Sequence, residues 1–199
     1  MTRREIVASL AAIVVVGLFA WALTRGLERV MRPPAAPAQQ EAAATPQPTT
    51  PVRHITATLF HVSSDGQQLV AVQHEVPFGE GAVEQGRQIV LAQIKTAPPA
   101  PLVAAVPQGT DLRSFYLSDR SEAFVDLGPE ILTAHPGGSA AELLTVYAIV
   151  NAVTANLPAA TRVQLLVDGK EVDTLAGHVD VRRSLRRNDA LVRTEDRKP

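Results

Sequence analysis

SAAELLTVYAIVNAVTANLP, residues 139–158, is the stretch on which the architecture turns. Ser139 followed by Glu142 matches a capping box, in which each side chain satisfies a free backbone donor at a helix start. Leu143, Val146, Val150, Val153 and Leu157 recur at spacings of three and four, an apolar stripe on one helix face. Pro158 ends it, because proline has no N–H to donate and clashes with the preceding turn. A helix so oily must lie against something, and its flanks supply strands. Residues 162–167 and 170–175 are apolar runs separated by Asp168-Gly169, which favours a type I′ hairpin because both residues tolerate positive φ. Before the helix, residues 111–117 and 123–127 read as two more strands, joined through Ser118, Asp119, Arg120 and Ser121.

Further towards the N-terminus, residues 54–62 and 67–76 form a strand, an Asp65-Gly66 turn and a returning strand. A second helical pattern spans residues 81–96. Val83, Gly86, Val90 and Ile94 fall near one stripe, with Glu84, Arg87, Gln88 and Lys95 elsewhere. Pro98, Pro99 and Pro101 close it. The loop His135-Pro136-Gly137-Gly138 lacks the lysine of a P-loop and the glycine spacing of a dinucleotide fingerprint, so it serves to release the chain into the helix. The order is ββ-α-ββ-α-ββ. Hairpins interleaved with helices predict an α+β fold, a mixed or mostly antiparallel sheet with two helices packed on one face. About 130 residues suffice for one domain burying roughly two-thirds of its unfolded surface.

Outside that body the composition changes. Residues 6–23, IVASLAAIVVVGLFAWAL, carry no charge and lie between Arg3, Arg4 and Arg25, Arg29. A helix of that length covers about 27 Å, near a hydrocarbon core of about 30 Å, and predicts an N-terminal transmembrane helix. A cleavable signal peptide is the rival, supported by Ala20-Trp21-Ala22 but opposed by the length of the run and the arginines beyond it. The chain has no cysteine, which removes attachment through a lipid-modified cysteine. The expected organisation is a cytoplasmic stub (1–5), an anchor (6–24), a Pro/Ala-rich linker (25–51), the α+β domain (52–185) and a charged disordered tail (186–199). The arginines nearly balance across the anchor, so the expected export of the C-terminal domain from a single-pass inner-membrane anchor rests on the very short leading tail.

Four stretches carry a family resemblance. PQGT (107–110) is similar to a P-x-G-T turn, AFVDL (123–127) to a V-x-V-D-L strand, and VYAIVN (146–151) to the core of a long helix. RVQLLVDG (162–169) with LAG (175–177) is similar to a closing V-x-x-x-V-D-G and L-x-G signature. Together, over about residues 55–185, they resemble the GerMN domain, named for a sporulation and germination protein. Ala152 and Gly128 depart from the pattern, standing where many members have a hydroxyl residue. The resemblance implies a single copy of an exported, envelope-associated α+β module, similar to ring-building domains of secretion and sporulation assemblies, with no established catalytic residue.

The residues themselves offer little chemistry. With no cysteine and no serine in a G-x-S-x-G elbow, the signatures of nucleophilic catalysis are missing. His54, His61, His74, His135 and His178 show no H-x-x-x-H or H-E-x-x-H spacing, and a regular strand puts His54 and His61 on opposite faces. They are expected as scattered surface or strand-edge residues. Asp126, Glu130 and Asp168 are expected to make turns. Arg182, Arg183, Arg186 and Arg187 form a basic cluster beside Asp180, Asp189, Glu195 and Asp196, and the acidic neighbours favour a solvated end over a lipid-headgroup site. No catalytic, cofactor-binding or metal residue is assigned, and no cofactor is expected. A net charge of −1 and 4% aromatic residues argue against nucleic acid. The expected function is a membrane-tethered, non-enzymatic cell-envelope module for protein–protein interaction or assembly, whose partners are other envelope proteins or a second copy. A small-ligand or peptidoglycan sensor is the alternative, and a hydrolase with an unrecognised site a weaker one. A pocket with converging polar groups would favour the ligand; a bare strand edge or flat apolar patch would favour assembly.

Overall fold

HITATLFHV forms β1 (His54–Val62) and pairs antiparallel with β2 (Leu69–Pro77) without a break, from His54 opposite Pro77 to Val62 opposite Leu69. The computed structural model describes residues 53–193. After the hairpin come α1 (Gly81–Lys95), β3 (Leu112–Leu117), β4 (Glu122–Leu127), the one-turn α2 (Glu130–Thr133), α3 (Ser139–Asn156), β5 (Arg162–Val167), β6 (Lys170–Glu171) and a 3-10 turn (Asp189–Leu191). The α+β class is as expected, but the strands form two sheets. The hairpin β1-β2 stands apart, and β3-β4-β5-β6 is a four-stranded mixed sheet in which β4 and β5 run parallel. A parallel pair needs a crossover, and α3 is that crossover.

Because α3 serves both sheets, it is buried on more than a stripe. Leu144, Val146, Ala148, Ile149, Val150, Ala152 and Val153 are all buried, and Thr145 and Asn151 with them. The expected stripe therefore widens into a helix that is apolar almost all round. On α1 the buried residues are Gly86, Ile89, Val90 and Gln93, while Val83 is exposed, so the buried face is rotated from the expected one. Gly86 fixes that rotation. A Cβ there would overlap the Phe115 ring of β3, so the missing side chain is what allows helix and strand to meet.

The expected capping box is absent. Ser139 is the first residue of α3, and Gly138, at φ +88, occupies the cap without a side-chain bond. The Glu142 side chain turns instead towards the loop after β6. At the far end, β6 has two residues in place of the expected 170–175 run. Nor is the segment beyond 185 a loose tail throughout. Leu185 bridges Val163 of β5, the Asn188 N–H and C=O bond the Asn151 side chain, and Arg193 donates its N–H to the Leu69 carbonyl. The predicted anchor at residues 6–24, the linker up to residue 51 and the last six residues, 194–199, lie outside the described residues. Among the described residues no helix is long and apolar enough to cross a membrane.

How the hairpin is held matters most for what remains open. The β1 groups that face away from β2 belong to even-numbered residues. Phe60 gives its N–H to Gln93 Oε1 at 2.9 Å and takes the Gln93 Nε2 donor at 2.8 Å. Thr58 does the same with Asn156, at 2.7 and 2.8 Å, and Val62 exchanges two 2.9 Å backbone bonds with Val103. Two side-chain amides thus stand in for a neighbouring strand. Replacing Gln93 by Ala strands both Phe60 backbone groups in the core, so the expected loss is roughly 2–3 kcal/mol. Urea denaturation of Gln93→Ala against the parent measures it.

Candidate functional site

Glu142 is the most unusual side chain of the domain. It is fully buried, yet its carboxylate accepts the N–H groups of Leu175, Ala176 and His178, each at 2.8 Å. His178 Nδ1 lies 3.2 Å from Oε2, with its side chain about half exposed. Burial alone would raise the Glu142 pKa; the N–H groups of Ala176, His178 and Leu175 outweigh it and hold the group below its usual 4.5. An anion in a ring of donors is a structural clamp, pinning the 175–178 loop to the first turn of α3.

Beside it, His135 is held from both ring nitrogens. The Gly137 N–H, which can only donate, points at Nδ1 from 3.0 Å, so the proton sits on Nε2. Nε2 then donates to Thr145 Oγ1 at 3.1 Å, and the Thr145 hydroxyl donates to the Ala105 carbonyl at 2.6 Å. A histidine that gives its proton to a hydroxyl is not its base. The pair therefore does not have the arrangement of an activated nucleophile.

Thr145 and Ala105 of this relay line a cavity of about 500 Å³, together with Val62, Val103, Val106 and Leu144. The size is in the usual range for a ligand pocket, but the Thr145 hydroxyl in its wall is already bonded to His135 and Ala105. Two strand edges, by contrast, keep unpaired backbone groups among the described residues. The bonds Ser118 N–H to Glu122 C=O and Phe78 N–H to Arg53 C=O set the ladder parity. Phe115 and Leu117 of β3, beyond the register shift between Leu112 and Ser114, and Ala71, Gln73 and Glu75 of β2, therefore direct their N–H and C=O outwards. Next to the β3 edge Tyr116 is 59% exposed. It pairs with the half-buried Phe124 on the sheet face that does not carry Ala123, Val125 and Leu127 to the core.

The remaining residues singled out by sequence fall into structural places. Asp126, nearly buried, accepts the Gly169 N–H at 2.8 Å, and Arg113 lies 3.4 Å from it and 2.9 Å from Asp168. Asp168 and Gly169 take φ +53 and +73, the geometry of the hairpin turn. Glu130 heads α2. In the basic cluster Arg182 pairs with Asp180 at 2.7 Å and Arg187 with Asp189 at 2.6 Å, and the Arg182 hydrogen bond holds Asp180 at about 2. Arg183 and Arg186 are exposed, and Glu195 and Asp196 lie outside the described residues. His54 is exposed, but His61 is buried, and His61 and His74 meet at 3.2 Å between their Nε2 atoms. Sequence reasoning missed that contact, because the two rings come from different strands. Among the described residues no three His, Cys, Asp or Glu side chains gather as a metal site.

The model of the Germane family, described as sporulation and spore germination, matches residues 58–173, more than half of the chain. The chain belongs to that family. Its fold is that of two solved structures of the sporulation protein GerM from Bacillus subtilis. The first GerMN domain alone is 17% identical over 67% of this chain and 98% of its own, with a TM-score of 0.54. The tandem GerMN structure is 16% identical over 67% of this chain, with a TM-score of 0.55, and is covered over only 46% of its length. A Clostridium perfringens protein described as a candidate lipoprotein is 26% identical, covering 68% of this chain and 89% of that one, with a TM-score of 0.48. No curated protein matches the chain.

Two measurements test the electrostatics of this Germane domain. Glu142→Gln removes an acceptor from the buried ring of N–H groups and should cost roughly 2–3 kcal/mol in urea denaturation. Because the folded-state pKa of Glu142 is depressed, its contribution is complete above about 4.5 and is lost as pH falls through the folded value. His135 behaves in the opposite chemical sense. Burial holds its imidazole below 6.5, against the Glu142 charge, so protonation favours the unfolded chain. Its contribution is full above about 6.5 and falls as pH drops from there towards the folded value, and His135→Gln should flatten the urea midpoint between about pH 7 and pH 5.

Proposed function

We propose that this Germane domain is a non-enzymatic module of the cell envelope, tethered through residues 6–24 and exported, which binds another envelope protein, or a second copy of itself, by strand addition along β3. The observation that carries this reading is the bare β3 edge beside an exposed aromatic. Phe115 and Leu117 offer backbone donors and acceptors at the spacing an added strand would match, and Tyr116 offers a flat amphipathic surface between them. Tyrosine is enriched where one protein surface meets another. The uncharged run of residues 6–23 supports the tether, which would hold the domain at the cell envelope. The non-enzymatic reading is supported by the His135–Thr145 pair, in which the histidine donates, and by the commitment of Glu142 to backbone donors.

The cavity favours a second reading, a small apolar ligand, because its volume suits one. A photo-crosslinking residue in place of Tyr116, in the full-length protein in its native membrane, distinguishes the two. The expected result is a specific adduct with one envelope protein or with a second copy. Tyr116→Asp should weaken the association at least tenfold while shifting stability by no more than about 0.5 kcal/mol, the usual effect of a surface substitution. A protein that forms no adduct and stays monomeric overturns strand addition and leaves the ligand reading.

A further inference from the structure

We infer that His61 and His74 form a two-histidine site for a divalent transition ion of the kind imidazole prefers, such as Cu²⁺, Ni²⁺ or Zn²⁺, held on the hairpin and independent of the β3 edge. The register makes the pair possible. His61 lies opposite Val70 and His74 opposite Ala57, so both histidines project from the same face of β1-β2, with the Leu59–Val72 pair between them. Their side chains lean towards each other across that pair until the Nε2 atoms are 3.2 Å apart. The ring centroids are 5.3 Å apart and the planes stand at 76°, edge to face rather than stacked.

That separation is the one a shared ion would require. With metal–nitrogen bonds of about 2.0–2.1 Å and a tetrahedral angle, two imidazole nitrogens on one ion sit about 3.3 Å apart. Ligands from two adjacent strands are fixed in register by the hairpin hydrogen bonds, so the ion would find them already placed. Imidazole nitrogens suit copper, nickel and zinc, and copper is expected to bind most tightly of the divalent series. Among the described residues no third His, Cys, Asp or Glu side chain joins them, so water would complete the shell. His61 also favours the form a metal needs. Burial, and then the neighbouring His74, hold its imidazole below 6.5, so the nitrogen lone pair is free at neutral pH. The competing account of the contact is a single N–H···N hydrogen bond between neutral rings, which would bind nothing.

The test is titration of the full-length protein in detergent with Cu²⁺ and with Zn²⁺ near neutral pH by isothermal calorimetry, with electron paramagnetic resonance of the copper-loaded sample. The expected outcome is one equivalent bound, with two nitrogen ligands in the copper spectrum. His74→Gln, at the more exposed position, should weaken binding at least tenfold with the fold intact by circular dichroism. His178→Ala and His54→Ala should leave it unchanged. The buried His61 is left in place, because substituting it puts folding at risk. No saturable binding by the parent protein, binding that survives His74→Gln, or a copper spectrum with a single nitrogen each overturns the site in favour of the hydrogen-bonded pair.

Discussion

The domain depends on two side-chain amides that behave as a strand. β1-β2 is a hairpin with no place in the main sheet, and a lone hairpin is marginal in water. Gln93 and Asn156 solve this by offering a donor and an acceptor each to Phe60 and Thr58, in the bonding pattern a neighbouring strand would use. The hairpin is thereby bolted to α1 and α3, and Phe60 and Leu69 reach the same core as the four-stranded sheet. A buried amide left unpaired would be costly, so each bond pair also holds its helix to one rotation about its axis. Together with the close approach of Gly86 to Phe115, this keeps Val83 outside and Gln93 inside.

Glu142 plays the matching part at the opposite end of α3. A charged group in the interior survives only where donors replace water, and the N–H groups of Leu175, Ala176 and His178 do so. The consequence is that the irregular chain after β6 becomes part of the framework. Leu185, Asn188 and Arg193 then continue that docking along β5, α3 and β2. Within this segment Arg182 pairs with Asp180 and Arg187 with Asp189, while Arg193 reaches back to Asp65 at the hairpin turn.

These closures decide which surfaces stay open. One edge of β1 is filled by amides and Val103, and β2 is partly covered at Leu69 by Val192 and Arg193. The β3 edge has no such cover among the described residues, and Tyr116 stands beside it. From Ser114 onward β3 thus presents an edge that the rest of the described fold has not used. The apolar cavity near Thr145 is a different kind of opening, since the hydroxyl in its wall is committed to protein partners.

Local chemistry was legible in the amino-acid order. Asp168-Gly169 predicted its turn because only certain residues accept positive φ, and both long helices and the first five strands appear close to where the apolar periods and prolines placed them, while the sixth strand stops after two residues. The four motifs that resemble the GerMN domain lie on β4, α3, β5 and the loops beside β3 and β6, and the family match covers all of them except the closing LAG at 175–177. What the order could not decide were the partners of polar side chains far apart in the chain. Glu142 was spaced for a cap three residues from Ser139 and instead serves a loop 33 residues away. Gln93 read as one more polar helix residue, and His61 and His74 as unrelated histidines, because a hydrogen bond depends on positions in space that no local pattern encodes. Sequence determined the elements and their family; only tertiary packing decided the split into two sheets, since the free energy that separates one arrangement from another lies in contacts between residues remote along the chain.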